Sequence, residues 1–347
     1  MDANVNRARE GIRVIEETAR MLFDDAVLTA RIKHLRHTLI DICSSEQRLQ
    51  NALVFARGSD RDVLREGETV SEKSRLNPAA VVRANAARAQ EAFRSLEEYT
   101  KLSVPRISEK FKTLRFELYD IEKSLVSLIR IKEATAFDRL KICAVIDFAA
   151  LPAQTGADSL RPLVSQILDA GAGSVVYRDN ISSDAEFMKN AAVIAMVCAE
   201  RDASVFIERR LDIAMIADTD GIVLSPGDIP AETCRKIMGP QYAIGITAGP
   251  GDNSEETVDP NADFYILDYS LTNELTPANA TGAVKEFVAK VNVPVLISGR
   301  FSTDTVAGLA ENGIRGIWLT PDYKRPETAA EEIRQMGETI DAYLTSI

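Results

Sequence analysis

Histidine is nearly absent from this sequence: in 347 residues only His34 and His37 occur. Everything after them therefore lacks an imidazole for acid–base work. Two histidines three apart on a helix read as a solvated or partly packed face rather than a metal pair. Cysteine is scarce too. Cys43, Cys143, Cys198 and Cys234 lie far apart with no CxxC, which excludes a zinc framework and a disulfide scaffold and leaves core thiols. No apolar run approaches the roughly 18 residues needed to cross a bilayer, and no basic-then-apolar leader opens the chain, so a cytoplasmic location is expected. The 46% hydrophobic and 27% charged content is that of a globular protein, long enough for two domains.

Basic residues are short in one half only. Residues 1–137 hold 24 basic and 21 acidic residues, whereas residues 138–347 hold 17 and 31, a net of −14. Such an acidic half is no nucleic-acid binder, and for an anionic ligand its few arginines must gather at one site.

The grammar changes at the same place. Residues 1–137 have long Ala/Glu/Arg/Leu stretches at helical spacing and almost no glycine, which predicts an all-α domain. From residue 138 short apolar runs alternate with amphipathic segments: 141–148, 174–179, 204–209, 221–225, 243–249, 263–269, 293–299 and 316–321. Helix-like stretches such as 182–201, 230–238, 279–291 and 302–312 separate them. Eight strand–helix units predict an α/β TIM (β/α)8 barrel over 138–347. The alternative open doubly wound sheet lacks a Gly-rich fingerprint after its first strand.

Inside the helical half, ANVNRAREGIRVIEETAR (3–20) recurs as ANAARAQEAFRSLEEYTK (84–101), and IKHLRHTLIDI (32–42) as FKTLRFELYDI (111–121). The offsets are 81 and 79, which predicts an internal two-fold repeat of a helix pair. Asn4, Arg7, Glu10, Arg13 and Glu16 step by three along one face, beside an apolar stripe of Ile12, Ile15, Ala19 and Leu22. A solvated ladder of salt bridges is one reading. The same residue types in both copies argue instead for a buried or ligand-facing polar network of Asn4, Arg7, Glu10, Arg13 and Glu17 with Asn85, Arg88, Glu91, Arg94 and Glu98.

DANVNRAREGIRVIEE and RANAARAQEAFRSLEEYTKL, with TLRFELYDIEKSL after them, resemble the helical hydroxymethylpyrimidine-phosphate kinase family found fused ahead of thiamine phosphate synthases. The resemblance implies phosphorylation of the pyrimidine phosphate with ATP. The residues themselves carry no GxxxxGK[ST] loop from which that chemistry follows.

In a barrel of this type the chemistry sits where strands end. Those ends carry Asp147, Arg178, Asp179, Asn180, Glu208, Arg209, Arg210, Asp228, Thr247, Asp268, Ser298, Gly299, Arg300 and Thr320. Four of the domain's 17 basic residues gather there, so phosphate binding is expected, with a rim salt bridge such as Arg178–Glu208 as the plainer reading of any one residue. No Ser/Lys or Cys/His pair offers a covalent nucleophile.

The order and spacing of the strands are similar to those of thiamine phosphate synthase. That resemblance implies coupling of a pyrimidine diphosphate to a thiazole phosphate, small phosphorylated substrates, and Mg2+ as cofactor. It puts Arg178 on the surviving member of a Q-x-R-x-K motif and Glu208-Arg209-Arg210 on N-D-R. Arg209 thus replaces a metal-binding aspartate, while Asp228 falls on the second metal aspartate. Thr247 takes a usual serine, and Ser298-Gly299-Arg300 a double glycine. On this reading Arg178, Arg209, Asp228 and Thr247 are catalytic, and Glu208, Ser298, Gly299, Arg300 and Thr320 bind substrate or phosphate. The alternative is a non-catalytic binding or channelling module for a phosphorylated thiamine precursor. The sequence leaves a homo-oligomer open.

Overall fold

The computed structural model describes residues 1–23, 25–45, 77–152, 155–249, 258–269, 277–299 and 301–344. They form two compact units, Met1–Ile129 and Arg130–Ile347.

The first unit is helical: α1 (Asp2–Phe23), α2 (Ala26–Ser44), α3 (Pro78–Ser103) and most of α4 (Pro105–Ala134). Asp25 and Asn77 cap α2 and α3 by accepting the N–H groups of Leu28 and Ala80, and Pro78 occupies the first turn of α3. Ile12, Ile15, Ile32, Leu35, Phe93, Leu96, Phe111 and Leu118 build the core. At Gly11 α1 runs so close to α3 that a Cβ would stand 2.7 Å from the Asn85 carbonyl oxygen. Leu22, expected on the apolar stripe, is 38% exposed.

Eight parallel strands of the second unit close in sequence order into a barrel. They are β1 (Ile142–Asp147), β2 (Ser174–Arg178), β3 (Ser204–Glu208), β4 (Gly221–Leu224), β5 (Ala243–Ala248), β6 (Phe264–Asp268), β7 (Val295–Ser298) and β8 (Gly316–Leu319). Each lies within one of the eight apolar runs. Helices α5 (Phe137–Leu140), α6 (Ala157–Asp169), α7 (Asp184–Glu200), α8 (Leu211–Ile216), α9 (Ala231–Met238), α10 (Pro277–Val288), α11 (Thr303–Glu311) and α12 (Pro326–Leu344) complete it. Strand side chains alternate between two cores, as a period of two requires. Cys143, Val145, Val176, Phe206, Val223, Phe264, Leu296 and Trp318 fill the interior. Ile146, Tyr177, Ile207 and Ile317 face outward to the helices.

The last turn of α4 belongs with the barrel. Ile131 packs against the interior cluster and Ser204 donates to the Ala134 carbonyl at 3.2 Å. Leu140 at the end of α5 seals the N-terminal end of the barrel. There the chain passes so close that a Cβ at Gly316 would stand 1.9 Å from the Leu140 carbonyl oxygen. Among the described residues no helix is long and apolar enough to cross a membrane.

Candidate active site at the barrel rim

The alternation that fills the barrel also decides which residues face its mouth. Continued from Cys143 and Val145 it turns Asp147 inward; from Val176, Arg178; from Phe206, Glu208; from Ile266, Asp268; and from Leu296, Ser298. Thr247 follows Ala243 and Gly245 on β5. Ser225 and Thr320 continue the pattern one residue past β4 and β8. The topmost inward layer therefore holds three carboxylates, one guanidinium and four hydroxyls. Arg209 and Arg210 lie outside it, on the turn after β3.

Arg178 sits among the carboxylates. Glu208 takes it with both oxygens, one from Nε and one at 2.9 Å from Nη2, and Asp147 lies 3.7 Å from Nη1. The side chains are 31% and 9% exposed for Arg178 and Glu208. Burial works to lower the Arg178 pKa, but hydrogen bonding to Glu208 and the charges of Glu208, Asp147 and Asp268 outweigh it, so the net shift is upward. The rim salt bridge is what forms here, and Arg178 stays firmly cationic.

Arg209 adopts a left-handed backbone, φ +67°, which costs a side-chain-bearing residue about 1–2 kcal/mol and which Asn and Asp tolerate better. Its N–H donates to the Val223 carbonyl at 3.0 Å. Its guanidinium reaches Asp228, with Nε 3.3 Å from Oδ1, while Oδ2 of Asp228 accepts the Ser225 N–H at 2.7 Å. Arg210 turns away from the mouth. It pairs with Asp184 at 2.8 Å and Asp212 at 2.7 Å and lies over the Phe187 ring, tying α7 to α8. Each of the three described rim arginines is thus held by carboxylate, where the sequence suggested a pool of cations. Of Arg210's two partners Asp212 is local, two residues on in the helix that Arg210 caps, whereas Asp184 opens a helix twenty-six residues back that local spacing does not point to.

Thr247 and Ser298 are half-buried, Thr320 is exposed, and Gly299 follows β7 with φ +152°. Ser298 stands in register with Asp268 on one side and Trp318 on the other. Arg300 lies outside the described residues.

The residues present do not fit a protein-held Mg2+. Such an ion takes carboxylate oxygens in a near-octahedral shell. Asp228 has one oxygen on a guanidinium and the other on an N–H, and Arg209 stands where a second carboxylate is implied. No group of three or more His, Cys, Asp or Glu among the described residues could hold a metal.

In the helical unit the expected polar network is not buried. Arg7, Glu10, Arg13, Arg88, Glu91, Arg94 and Glu98 are exposed, and Asn4, Glu17 and Asn85 are half-buried. Arg13 pairs with Glu17, and Arg94 with Glu98, along their own helices. The buried carboxylates are one position round the helix. Glu16 accepts from Arg36 at 2.7 Å and Glu97 from Arg115 at 3.0 Å. These two pairs stand at the offsets of 81 and 79 that relate the sequence stretches. His34 and His37 are exposed, and all four cysteines are free and buried.

Residues 1–124 match the profile of the ThiD2 family, and residues 149–320 that of thiamine monophosphate synthase. The chain is 32% identical over 247 residues to the thiamine-phosphate synthase of Rhodopirellula baltica, covering 71% of this chain and 64% of that one. It is 34% identical over 264 residues to that of Thermosynechococcus vestitus, covering 76% and 71%. To that of Prochlorococcus marinus strain AS9601 it is 25% identical over 339 residues, covering 96% and 92%. Among solved structures, thiamine phosphate pyrophosphorylase from Pyrococcus furiosus is similar with a TM-score of 0.49 and 21% identity, over 60% of this chain and 98% of that one.

Proposed function

The chain belongs to the thiamine-phosphate synthase family, transferases of thiamine biosynthesis, and from that membership we propose that its barrel joins hydroxymethylpyrimidine diphosphate to thiazole phosphate, releasing pyrophosphate. The observation that carries the reading is the inward layer of charges and hydroxyls at the C-terminal strand ends, where this fold does its chemistry.

In the proposed reaction the bond from the pyrimidine methylene carbon to the diphosphate oxygen breaks, and its electron pair leaves with pyrophosphate. The lone pair of the thiazole nitrogen then forms the new C–N bond. No proton moves at either reacting atom, so a barrel without histidine is no obstacle. What the reaction needs is charge in the right places. The layer of Asp147, Glu208 and Asp268 around one guanidinium repels a diphosphate from the barrel axis and favours the positive charge that develops on the carbon. The diphosphate accordingly lies toward Arg209, on the β3–β4 side, with Arg178 as the nearest cation below it. Thr247 offers a hydroxyl to the leaving group. Ser298 and Gly299, with Arg300 and Thr320, receive the thiazole phosphate. No step is routed through Mg2+, because the donor set does not suit it.

The helical unit is proposed to make the barrel's substrate, phosphorylating hydroxymethylpyrimidine phosphate with ATP as donor. The ThiD2-family match over residues 1–124 supports this. The exposed Arg/Glu ladders of α1 and α3 are the side chains through which it would meet an anionic substrate. The relatives described above are named for the synthase reaction, which supports turnover over a module that only binds.

The test is thiamine phosphate formation by the full chain, followed as fluorescent thiochrome. Pyrimidine diphosphate plus thiazole phosphate should give product, and pyrimidine phosphate plus ATP should replace the diphosphate. Failure of the first pair sinks the synthase reading. Failure of the second alone sinks the kinase reading.

A further inference from the structure

We propose that the Arg209 guanidinium takes the place of a divalent cation at this rim, so that the barrel binds the diphosphate group with a side chain and without a protein-bound metal ion. The inference deepens the synthase reading and rests on it.

Three observations carry it. The first is the occupancy of Asp228. Its Oδ1 faces Arg209 Nε at 3.3 Å and its Oδ2 accepts the Ser225 N–H at 2.7 Å. A cation arriving there would have to displace both partners. The second is the absence of an alternative cage. The carboxylates of the inward layer do not gather into a group that could hold a metal among the described residues. Glu208 is itself committed to Arg178. The third is the backbone at Arg209. Its left-handed φ of +67° is one that a carboxylate-bearing Asp adopts more readily than Arg. The turn is fixed from both sides, by Arg209 N–H on the Val223 carbonyl and by Leu211 N–H on the Arg209 carbonyl. A strained conformation held this firmly keeps the half-exposed guanidinium at the lip of the barrel, 50% accessible, with Asp228 as its anchor. It is a fixed cation with N–H groups left over for an anion, since one guanidinium carries five donors. Of the described rim arginines it is the one held by a single carboxylate, whereas Arg178 and Arg210 each face two.

The experiment uses the full chain and three readouts. Pyrophosphate is titrated in EDTA by calorimetry. Wild type should bind, Arg209→Ala should weaken binding by about tenfold or more, the loss of one charged hydrogen-bond partner, and Arg209→Lys should recover part of it. Mn2+ binding is followed by electron paramagnetic resonance without nucleotide. Wild type should show no site that depends on Asp228, Arg209→Asp should gain one site, and Arg209→Asp/Asp228→Asn should lose it again. Thiamine phosphate formation from the pyrimidine diphosphate should persist in EDTA. A wild-type Mn2+ site abolished by Asp228→Asn overturns the proposal. So does pyrophosphate affinity within twofold of wild type in Arg209→Ala, or turnover that requires Mg2+. If no condition yields thiamine phosphate the synthase reading fails, while the two binding readouts still decide the role of Arg209.

Discussion

Replacing Glu208 by Gln should make the mouth a better anion site. Glu208 holds Arg178 through two charge-assisted hydrogen bonds, is 9% exposed, and lies beside an arginine that is 31% exposed. Two unit charges about 4 Å apart attract by roughly 4 kcal/mol at an effective dielectric constant of 20. A net value of about 1.5–3 kcal/mol is the usual contribution of a hydrogen bond to a charged group. An incoming phosphate must share Arg178 with Glu208 and gains correspondingly less. Glutamine keeps the shape and one acceptor but removes the charge, and Asp147 and Asp268 still keep Arg178 ionised. Affinity for pyrophosphate, measured by calorimetry at fixed low ionic strength in EDTA, should rise by about 10- to 100-fold, the equivalent of about 1.4–3 kcal/mol. The same change costs the fold about 1–3 kcal/mol, because a partly desolvated guanidinium loses its charged partner. Unchanged or weaker pyrophosphate binding in a folded Glu208→Gln protein would refute the reasoning, since it would mean that Glu208 does not compete for Arg178.

Three further outcomes follow from particular residues. Arg209→Asn should raise the Tm of the barrel by about 1–3 °C despite losing an exposed ion pair, because asparagine accepts the left-handed backbone. Arg209→Ala should not, and a scan of both variants decides it. Asp220 is pushed up by burial, although the Val205 N–H and the charges of Arg130 and Arg139 pull it down. Its folded carboxyl therefore takes up a proton before the unfolded one, so its contribution to stability grows as pH falls through the raised value and levels off below the ordinary one. Asp220→Asn should be more stable than wild type at neutral pH, with a difference that shrinks toward acid; an equal loss at every pH would contradict this. Gly11→Val should destabilise the helical unit by about 1–3 kcal/mol, since its Cβ meets the Asn85 carbonyl oxygen, a backbone atom that no rotamer change can move. Hydrogen exchange of α1 and α3 peptides in the full chain would reveal it, and unchanged protection would count against the close approach.

The strands were legible because each is a largely apolar run of four to six residues, and the inward layer follows from their alternation. Of the rim arginines' partners, Glu208 was legible, because it ends the strand next to that of Arg178, and the others were not. Arg210 meets Asp184 twenty-six residues back, and Arg209 meets Asp228 nineteen residues on. Such pairs depend on which loops and helix starts the barrel brings side by side, not on local spacing. The six residues of α8 make less than two turns, too few to show a helical period. On α1 a step of three drifts round the helix, so the stripe from Asn4 reaches a buried position at Glu16 while Arg7, Glu10 and Arg13 stay in solvent. Matching residue types in two copies identify a shared geometry, but not whether that geometry is buried.

The N-terminal end of the barrel is closed against change in a way the other end is not. At Gly316 backbone meets backbone, and Leu140 corks the interior, so a new side chain there has nowhere to go. The opposite end is made of side chains standing on finished strands, with no hydrogen bond of the sheet depending on their identity. A guanidinium at that lip costs local backbone strain at Arg209 but leaves the strand pairing beneath intact. One end of the barrel thus fixes the shape through backbone contact, and the other sets how charge is presented through side chains alone.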